Sequence, residues 1–294
     1  MKILMCVPNV SEGRDQATVD MLADLIRSQP GVKLIDLSSD GDHNRSVYSF
    51  LGEIDAVLAA TKVFAAAVID AVDMTKHTGG HPRNGALDTV PFIPVGDTTT
   101  EEAVAVARDF GAWLGGRGVP VYYYEDACTR PERRNLVDVR EGQYEALAGK
   151  MKDPFWAPDE GPAEFVPKSG ATQVSARFPL VAFNVNLRTD DLAVATQIAH
   201  AVRHMNGGFR FVRAIGLEVT GTGMVQVSMN LTNYTQTPIP RVMEAIKAEA
   251  RRYGVSVASA ELVGPVPLGA IQEVVRYYLQ IHDFSMAQTI EMNV

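Results

Sequence analysis

Met224-Val225-Gln226-Val227-Ser228-Met229-Asn230-Leu231 places Val225, Val227, Met229 and Leu231 on one side of the chain and Gln226, Ser228 and Asn230 on the other. A period of two marks a strand with one buried face. Just before it, Gly221-Thr222-Gly223 reads as the turn of a hairpin whose first strand covers residues 209–219. Outward from that hairpin, the pattern predicts a strand over 179–187 and a helix over 192–204 on one side. On the other it predicts a helix from Thr237-Pro238 to about Tyr253, a strand over 255–263 and a helix over 268–279. The order is β-α-β-β-α-β, the split βαβ unit of a ferredoxin-like domain.

The first half repeats the order without repeating the sequence. Residues 2–7 read as a strand, and the turn at 8–13 leads to a helix with Val19, Leu22, Leu25 and Ile26 on one face. Strands follow over 32–38 and 46–51, separated by the polar loop 39–45, then an Ala-rich helix over 54–72 and a strand over 91–95. Thr99 with Glu102 predicts a capping box at the start of a helix over 100–115, and 119–125 reads as one more strand. Between the halves, residues 153–175 carry Pro154, Pro158, Pro162, Pro167, Gly161 and Gly170, the composition of a linker or a binding loop. The expected fold class is therefore α+β: two ferredoxin-like subdomains, 1–177 and 178–294, with mainly antiparallel sheets flanked by helices.

The chain of 294 residues has 35 acidic against 27 basic side chains and a formal charge of -8 at pH 7, with 46% hydrophobic residues. That profile fits a globular protein and excludes a disordered or collagen-like chain. A main role in nucleic-acid binding is not expected, because phosphate neutralisation needs a surplus of Lys and Arg. The apolar N-terminal run stops at Pro8 and is too short for a signal sequence. The longest Ala-rich segment, 54–72, is interrupted by Asp55, Lys62 and Asp70, so no membrane span is expected and the cytoplasm is the predicted compartment. Two cysteines, Cys6 and Cys128, are too few for a disulfide framework or a thiolate zinc site.

Chemistry concentrates in Lys76-His77-Thr78-Gly79-Gly80-His81-Pro82-Arg83-Asn84-Gly85-Ala86-Leu87-Asp88. Gly79 and Gly80 permit a sharp turn, and Pro82 biases His81 to an extended backbone, which would hold its imidazole at a set angle. A histidine so held suits proton transfer near neutral pH; from pattern alone it reads equally as a surface histidine in a turn. Asp40-Gly41-Asp42-His43-Asn44-Arg45 and Pro8-Asn9-Val10-Ser11-Glu12-Gly13 are ordinary turn compositions taken singly. In them Arg45 could clamp a carboxylate through its planar fork, and Asn9 or Asn44 could orient an amide or imine. No metal is expected. His77 and His81 are four apart but interrupted by Gly-Gly, and His200 and His204, on the predicted helix, lack the Glu of His-Glu-x-x-His.

Taken together, 7–13, His43-Asn44-Arg45-Ser46-Val47, 81–88 and Pro91-Phe92-Ile93-Pro94-Val95 resemble the glutamate formiminotransferase family. The likeness continues through Pro120-Val121-Tyr122-Tyr123-Tyr124, Trp156-Ala157-Pro158-Asp159, Phe165-Val166-Pro167, Gly170-Ala171-Thr172, 182–187 and 262–268, in the family's order over nearly the whole chain. The resemblance implies transfer of a formimino group from N-formimino-L-glutamate to N5 of tetrahydrofolate in histidine breakdown, by a homodimer with folate bound between the two subdomains. It makes His81 the catalytic histidine. It assigns folate to the stretch with Phe165, Val166, Pro167, Gly170, Ala171 and Thr172; Trp156 is a candidate to flank the pterin or its route of entry, and Asn9, Asn44, Arg45 and Arg83 are candidates for the donor. Where bifunctional members carry a carboxylate in the second strand this chain has Ser38, and Asp40 and Asp42 are the alternatives for an aspartate assisting His81. The resemblance does not separate glutamate from another donor such as formiminoglycine, nor an enzyme from a non-catalytic folate-binding homologue.

Overall fold

The computed structural model describes residues 1–293. They form two compact units, one over Met1–Phe178 and one from Pro179 onward.

The first unit opens with β1 (Lys2–Cys6) and β2 (Asn9–Val10), two pieces of one strand broken at Val7-Pro8, followed by α1 (Gln16–Arg27), β3 (Val32–Asp40), β4 (Arg45–Gly52), α2 (Ile54–Ala71) and β5 (Leu87–Gly96). β3 pairs β4, and β4 and β5 flank β1 and β2, all antiparallel. This is the expected βαββαβ unit with its strands in the order β3-β4-β1-β5. Helix α1 forms because Val19, Leu22, Ala23 and Ile26 repeat on one buried face, and Asp15 caps it by accepting from the Ala17 N–H at 3.1 Å. Helix α2 buries Val57, Ala60, Phe64, Ala65 and Val68, with Phe64 packed edge-on against Tyr48 of β4.

The unit then extends past the ferredoxin-like pattern through α3 (Thr100–Gly115), β6 (Val121–Glu125), α4 (Leu136–Val139), α5 (Gln143–Lys150) and β7 (Thr172–Ala176). The predicted capping box is present: Thr99 accepts from the Glu102 N–H at 3.2 Å and Glu102 accepts from the Thr99 N–H at 3.0 Å. β7 differs from the expectation that 153–175 is irregular throughout. It lies between β5 and β6, parallel to both, and all five of its residues are buried. A parallel strand covered on both faces shows no polar-apolar alternation, and Thr172-Gln173-Val174-Ser175-Ala176 also lacks the apolar run that would announce it.

The second unit runs β8 (Val181–Leu187), α6 (Leu192–Val202), β9 (Val212–Val219), β10 (Met224–Leu231), α7 (Ile239–Arg252), β11 (Val257–Val263) and α8 (Leu268–Leu279). Its antiparallel sheet has the order β11-β8-β10-β9, again ferredoxin-like. The alternation in β10 is realised: Val225, Val227, Met229 and Leu231 enter a core with Val185, Leu187, Ile198, Val242 and Ile246. The fold class is thus as expected, α+β with two sheets flanked by helices. Helix α6 stops at Val202, earlier than predicted, so His204 lies beyond it in a separate 3-10 turn and does not share a helical face with His200. Among the described residues, no helix is long and apolar enough to cross a membrane.

Candidate active site

Three loops of the first unit meet at one end of its sheet: 8–13 around β2, 40–45 between β3 and β4, and 77–85 between α2 and β5. Asn44 joins them. Its backbone is left-handed, with φ of 49°, a conformation that Asn tolerates better than most residues. Its side chain accepts from the Gly13 N–H at 3.0 Å and donates to the Thr78 carbonyl at 2.9 Å. Gly80 N–H reaches the Asp42 carbonyl at 3.2 Å. Gly79 makes this approach possible, since a Cβ there would stand 2.3 Å from the His43 carbonyl oxygen.

The loops bring His81, Arg45, Asn9, His43 and Asp40 together. Arg45 Nη1 is 3.0 Å from His81 Nε2 and 3.4 Å from Asn9 Oδ1. A guanidinium only donates, so His81 Nε2 accepts and the neutral ring carries its proton on Nδ1. Burial and the cations Arg45, Arg140 and Arg83, with His43 beside them, push the His81 pKa down to about 3. The imidazole is therefore neutral at physiological pH, with its one free lone pair directed at Arg45. Arg45 itself is mostly buried and its Nε has no hydrogen-bond partner among the described residues.

Asp40 faces His43, not His81. Its Oδ1 accepts the backbone N–H groups of Asp42 and His43, each at 2.9 Å, and its Oδ2 is 2.9 Å from His43 Nδ1. The His43 backbone N–H and ring hold the Asp40 carboxyl below the usual carboxylate range. The His43 and His81 rings meet edge to face with centroids 6.5 Å apart. Asp42 contributes its carbonyl to Gly80, as above.

Arg83 is turned the other way. It is 6% exposed, and its Nη1 and Nη2 form a two-point pair with Glu145 of α5 at 2.9 and 2.6 Å. Its Nε donates to His77 Nδ1 at 3.2 Å, and His77 Nε2 in turn donates to the Asn44 carbonyl at 3.0 Å. Arg83 thus ties α5 to the turn that carries Arg45. Behind His81, buried Asp88 pairs with Arg140 and accepts the Asn84 N–H at 2.8 Å. Glu145 and Arg140 have no place among the motif residues, and no local pattern marks them. His43 lay within a quoted motif, and its spacing of three from Asp40 was the available signal.

The segment assigned to folate is divided in space. Gly170 bridges Gly85, and the Ala171 N–H donates to the Asn84 carbonyl at 3.0 Å, which seats this part beside the His81 loop. The side chains of Ala171 and Thr172 are fully buried there. Phe165 packs on Tyr144 at 5.4 Å between ring centroids, the Val166 carbonyl accepts from the Gly170 N–H at 2.8 Å, and the Pro167 carbonyl accepts from the Tyr144 hydroxyl at 2.8 Å. Trp156 sits in a 3-10 turn under Lys150, whose Nζ is 3.7 Å from its ring centroid, with the Tyr122 hydroxyl donating to its carbonyl at 2.7 Å.

The family model described as "Formiminotransferase domain, N-terminal subdomain" matches residues 3–177, and that described as "Formiminotransferase domain" matches residues 182–293. The chain is 44% identical over 293 residues to a glutamate formimidoyltransferase of Streptococcus pyogenes serotype M1, covering 99% of this chain and 98% of that one. It is 43% identical over 298 residues to a glutamate formimidoyltransferase of Thermoplasma acidophilum, covering 99% and 97%. A formimidoyltransferase-cyclodeaminase of Dictyostelium discoideum shares 42% identity over 288 residues, which span 95% of this chain and 53% of that protein.

Proposed function

This chain belongs to the formiminotransferase family, and on that premise we propose that it transfers the formimino group of N-formimino-L-glutamate to N5 of tetrahydrofolate, releasing L-glutamate. The observation that carries this reading is the end-to-end similarity to relatives named for that activity. The neutral, oriented imidazole of His81 supports it by supplying the base the reaction needs. The same reading carries a homodimeric enzyme of histidine breakdown working in the cytoplasm, with tetrahydrofolate as second substrate.

The chemistry begins with the amidinium form of the donor. The N5 lone pair forms a bond to the formimino carbon, and the π pair of that carbon moves onto the imino nitrogen, giving a tetrahedral carbon bonded to three nitrogens. His81 Nε2 takes the N5 proton. A proton then reaches the glutamate nitrogen, its bond to carbon breaks, and the carbon-nitrogen π bond re-forms on the folate side.

His81 can accept that proton only once Arg45 leaves its lone pair. A donor carboxylate is the natural competitor for the guanidinium, because a charge-assisted fork-to-carboxylate pair is stronger than a bond to a neutral imidazole. Arg45 therefore has two linked duties: it holds the donor and, in turning to it, frees the base. Asn9, already in reach of Arg45, orients the formimino group, while Asn44 and Arg83 hold the loops in register. Trp156, Phe165, Val166, Pro167, Gly170, Ala171 and Thr172 contribute to the folate site. In a steady-state assay with both substrates, His81→Ala should lower kcat by about 10²–10⁴ with little change in donor KM. An unchanged kcat would overturn the assignment of the base, and transfer from formiminoglycine in place of formiminoglutamate would overturn that of the donor.

A further inference from the structure

The reaction requires a proton at the departing glutamate nitrogen, and His81 is poorly made to deliver it. His81 begins neutral, with Arg45 donating to its Nε2, so that nitrogen holds no proton for the departing amine until it has taken the one from N5. To serve both steps it would also have to carry one proton between two nitrogens on different sides of the same carbon.

A second imidazole stands beside it. The side chain of His43 is 54% exposed, its ring lies at 70° to that of His81 with centroids 6.5 Å apart, and its Nδ1 is fixed on Asp40 Oδ2 at 2.9 Å. The carboxylate is fixed in turn by the two backbone N–H groups of Asp42 and His43. A carboxylate on Nδ1 sets the tautomer and orientation of a histidine and leaves Nε2, at the outer end of the ring, as the proton-transfer atom. The two rings project from loops held together by Asn44 and by the close approach at Gly79.

We propose that His43 is a second catalytic residue, the general acid for the departing amine, with Asp40 as its positioning residue. It rests on the transfer reading above. The assignment balances the step. His81 Nε2 receives the proton that N5 loses on attack. His43, as the imidazolium with its Nδ1–H on Asp40, gives its Nε2 proton to the glutamate nitrogen, whose bonding pair with carbon leaves with it. The electron pair of the remaining imino nitrogen then restores the π bond. His81 ends protonated and His43 deprotonated, and one proton exchanged through solvent returns both to their starting states.

The test uses the full chain with tetrahydrofolate and two donors, N-formimino-L-glutamate and the N-formimino derivative of 4-aminobenzoate. The second keeps a carboxylate but releases a weakly basic amine that needs little protonation. With formiminoglutamate, His43→Gln should lower kcat by about 10²–10³ and leave donor KM within about threefold. With the aryl donor most of that loss should vanish, whereas the loss in His81→Ala should persist with both donors. Imidazole added to His43→Ala should restore turnover, and Asp40→Asn should lower kcat less than His43→Gln does. Wild-type kcat in His43→Gln, or a loss equal for both donors and without imidazole rescue in His43→Ala, would overturn the proposal while leaving formimino transfer standing. Absence of transfer by the wild-type chain with formiminoglutamate would overturn the transfer reading itself and this proposal with it.

Discussion

Arg45 and Arg83 belong to two motifs of similar composition, yet the structure uses their guanidinium forks differently. Arg45 faces His81 and Asn9, with one buried nitrogen that has no hydrogen-bond partner among the described residues, and is the guanidinium proposed for the donor carboxylate. Arg83 already holds a carboxylate, Glu145, in the two-point geometry that Lys cannot copy. Arg45→Lys should therefore raise donor KM about 10-fold or more, the equivalent of losing roughly 1.5–3 kcal/mol of charged hydrogen bonding. Arg83→Lys should lower unfolding free energy by about 1–3 kcal/mol and leave donor KM near the wild-type value. Urea melts and donor titrations on the two variants check this, and a raised KM in Arg83→Lys with unchanged stability would reverse the assignment. The motif residues were legible because each sits within a few positions of the others that define its turn. Glu145 and Arg140 were not, because their partners lie 62 and 52 residues away in sequence and the pairing exists only once α5 and the loop after Val139 are folded against β5.

At the scale of elements, legibility followed local chemistry. The start of α3 was readable to the residue because Thr99 and Glu102 satisfy each other's backbone N–H groups within a single turn. The burial of β10 was readable because one face is polar and the other apolar. β7 was not readable, since what makes it a strand is two parallel neighbours, and its own sequence offers one large apolar side chain, Val174. That side chain is fully buried and belongs to the main core of the first unit. Val174→Ala should cost about 1–3 kcal/mol of stability through lost burial and the cavity left behind. Because β7 follows directly from Gly170 and Ala171, which lie against Asn84 and Gly85, the variant also tests whether this strand holds the His81 loop. If it does, kcat falls along with Tm. A lowered Tm with unchanged kcat would confine β7 to the core.

Across the whole molecule, the two halves share an order of elements and differ in what was built on it. The first unit adds α3 through β7 beyond its βαββαβ core and carries His81, Arg45, His43 and Asp40 on loops at one end of the enlarged sheet. The second keeps four strands, β11-β8-β10-β9, with a single separate core under α6 and α7. The other face of that sheet is mixed: Asn184 donates to Glu261 at 2.9 Å, Asn186 to Ser259 at 2.9 Å, and Gln226 to Asn186 and Glu261 at 2.8 and 3.0 Å, while Ile215, Leu217 and Val263 are exposed on the same face. A four-stranded sheet with one apolar face covered by its own helices and side-chain hydrogen bonds tying its strands on the other meets the conditions for independent folding. Residues 179–294 expressed alone should give a cooperative urea transition with a slope of about 1–3 kcal/mol/M and no transferase activity, since His81 and His43, the proposed proton-transfer groups, lie outside it. Met229→Ala, at a buried position of β10, should shift that transition to lower urea by the equivalent of about 2–5 kcal/mol. A fragment that melts without cooperativity would mean that this core depends on the rest of the chain, and the two ferredoxin-like units would then be one folding unit despite their separate sheets.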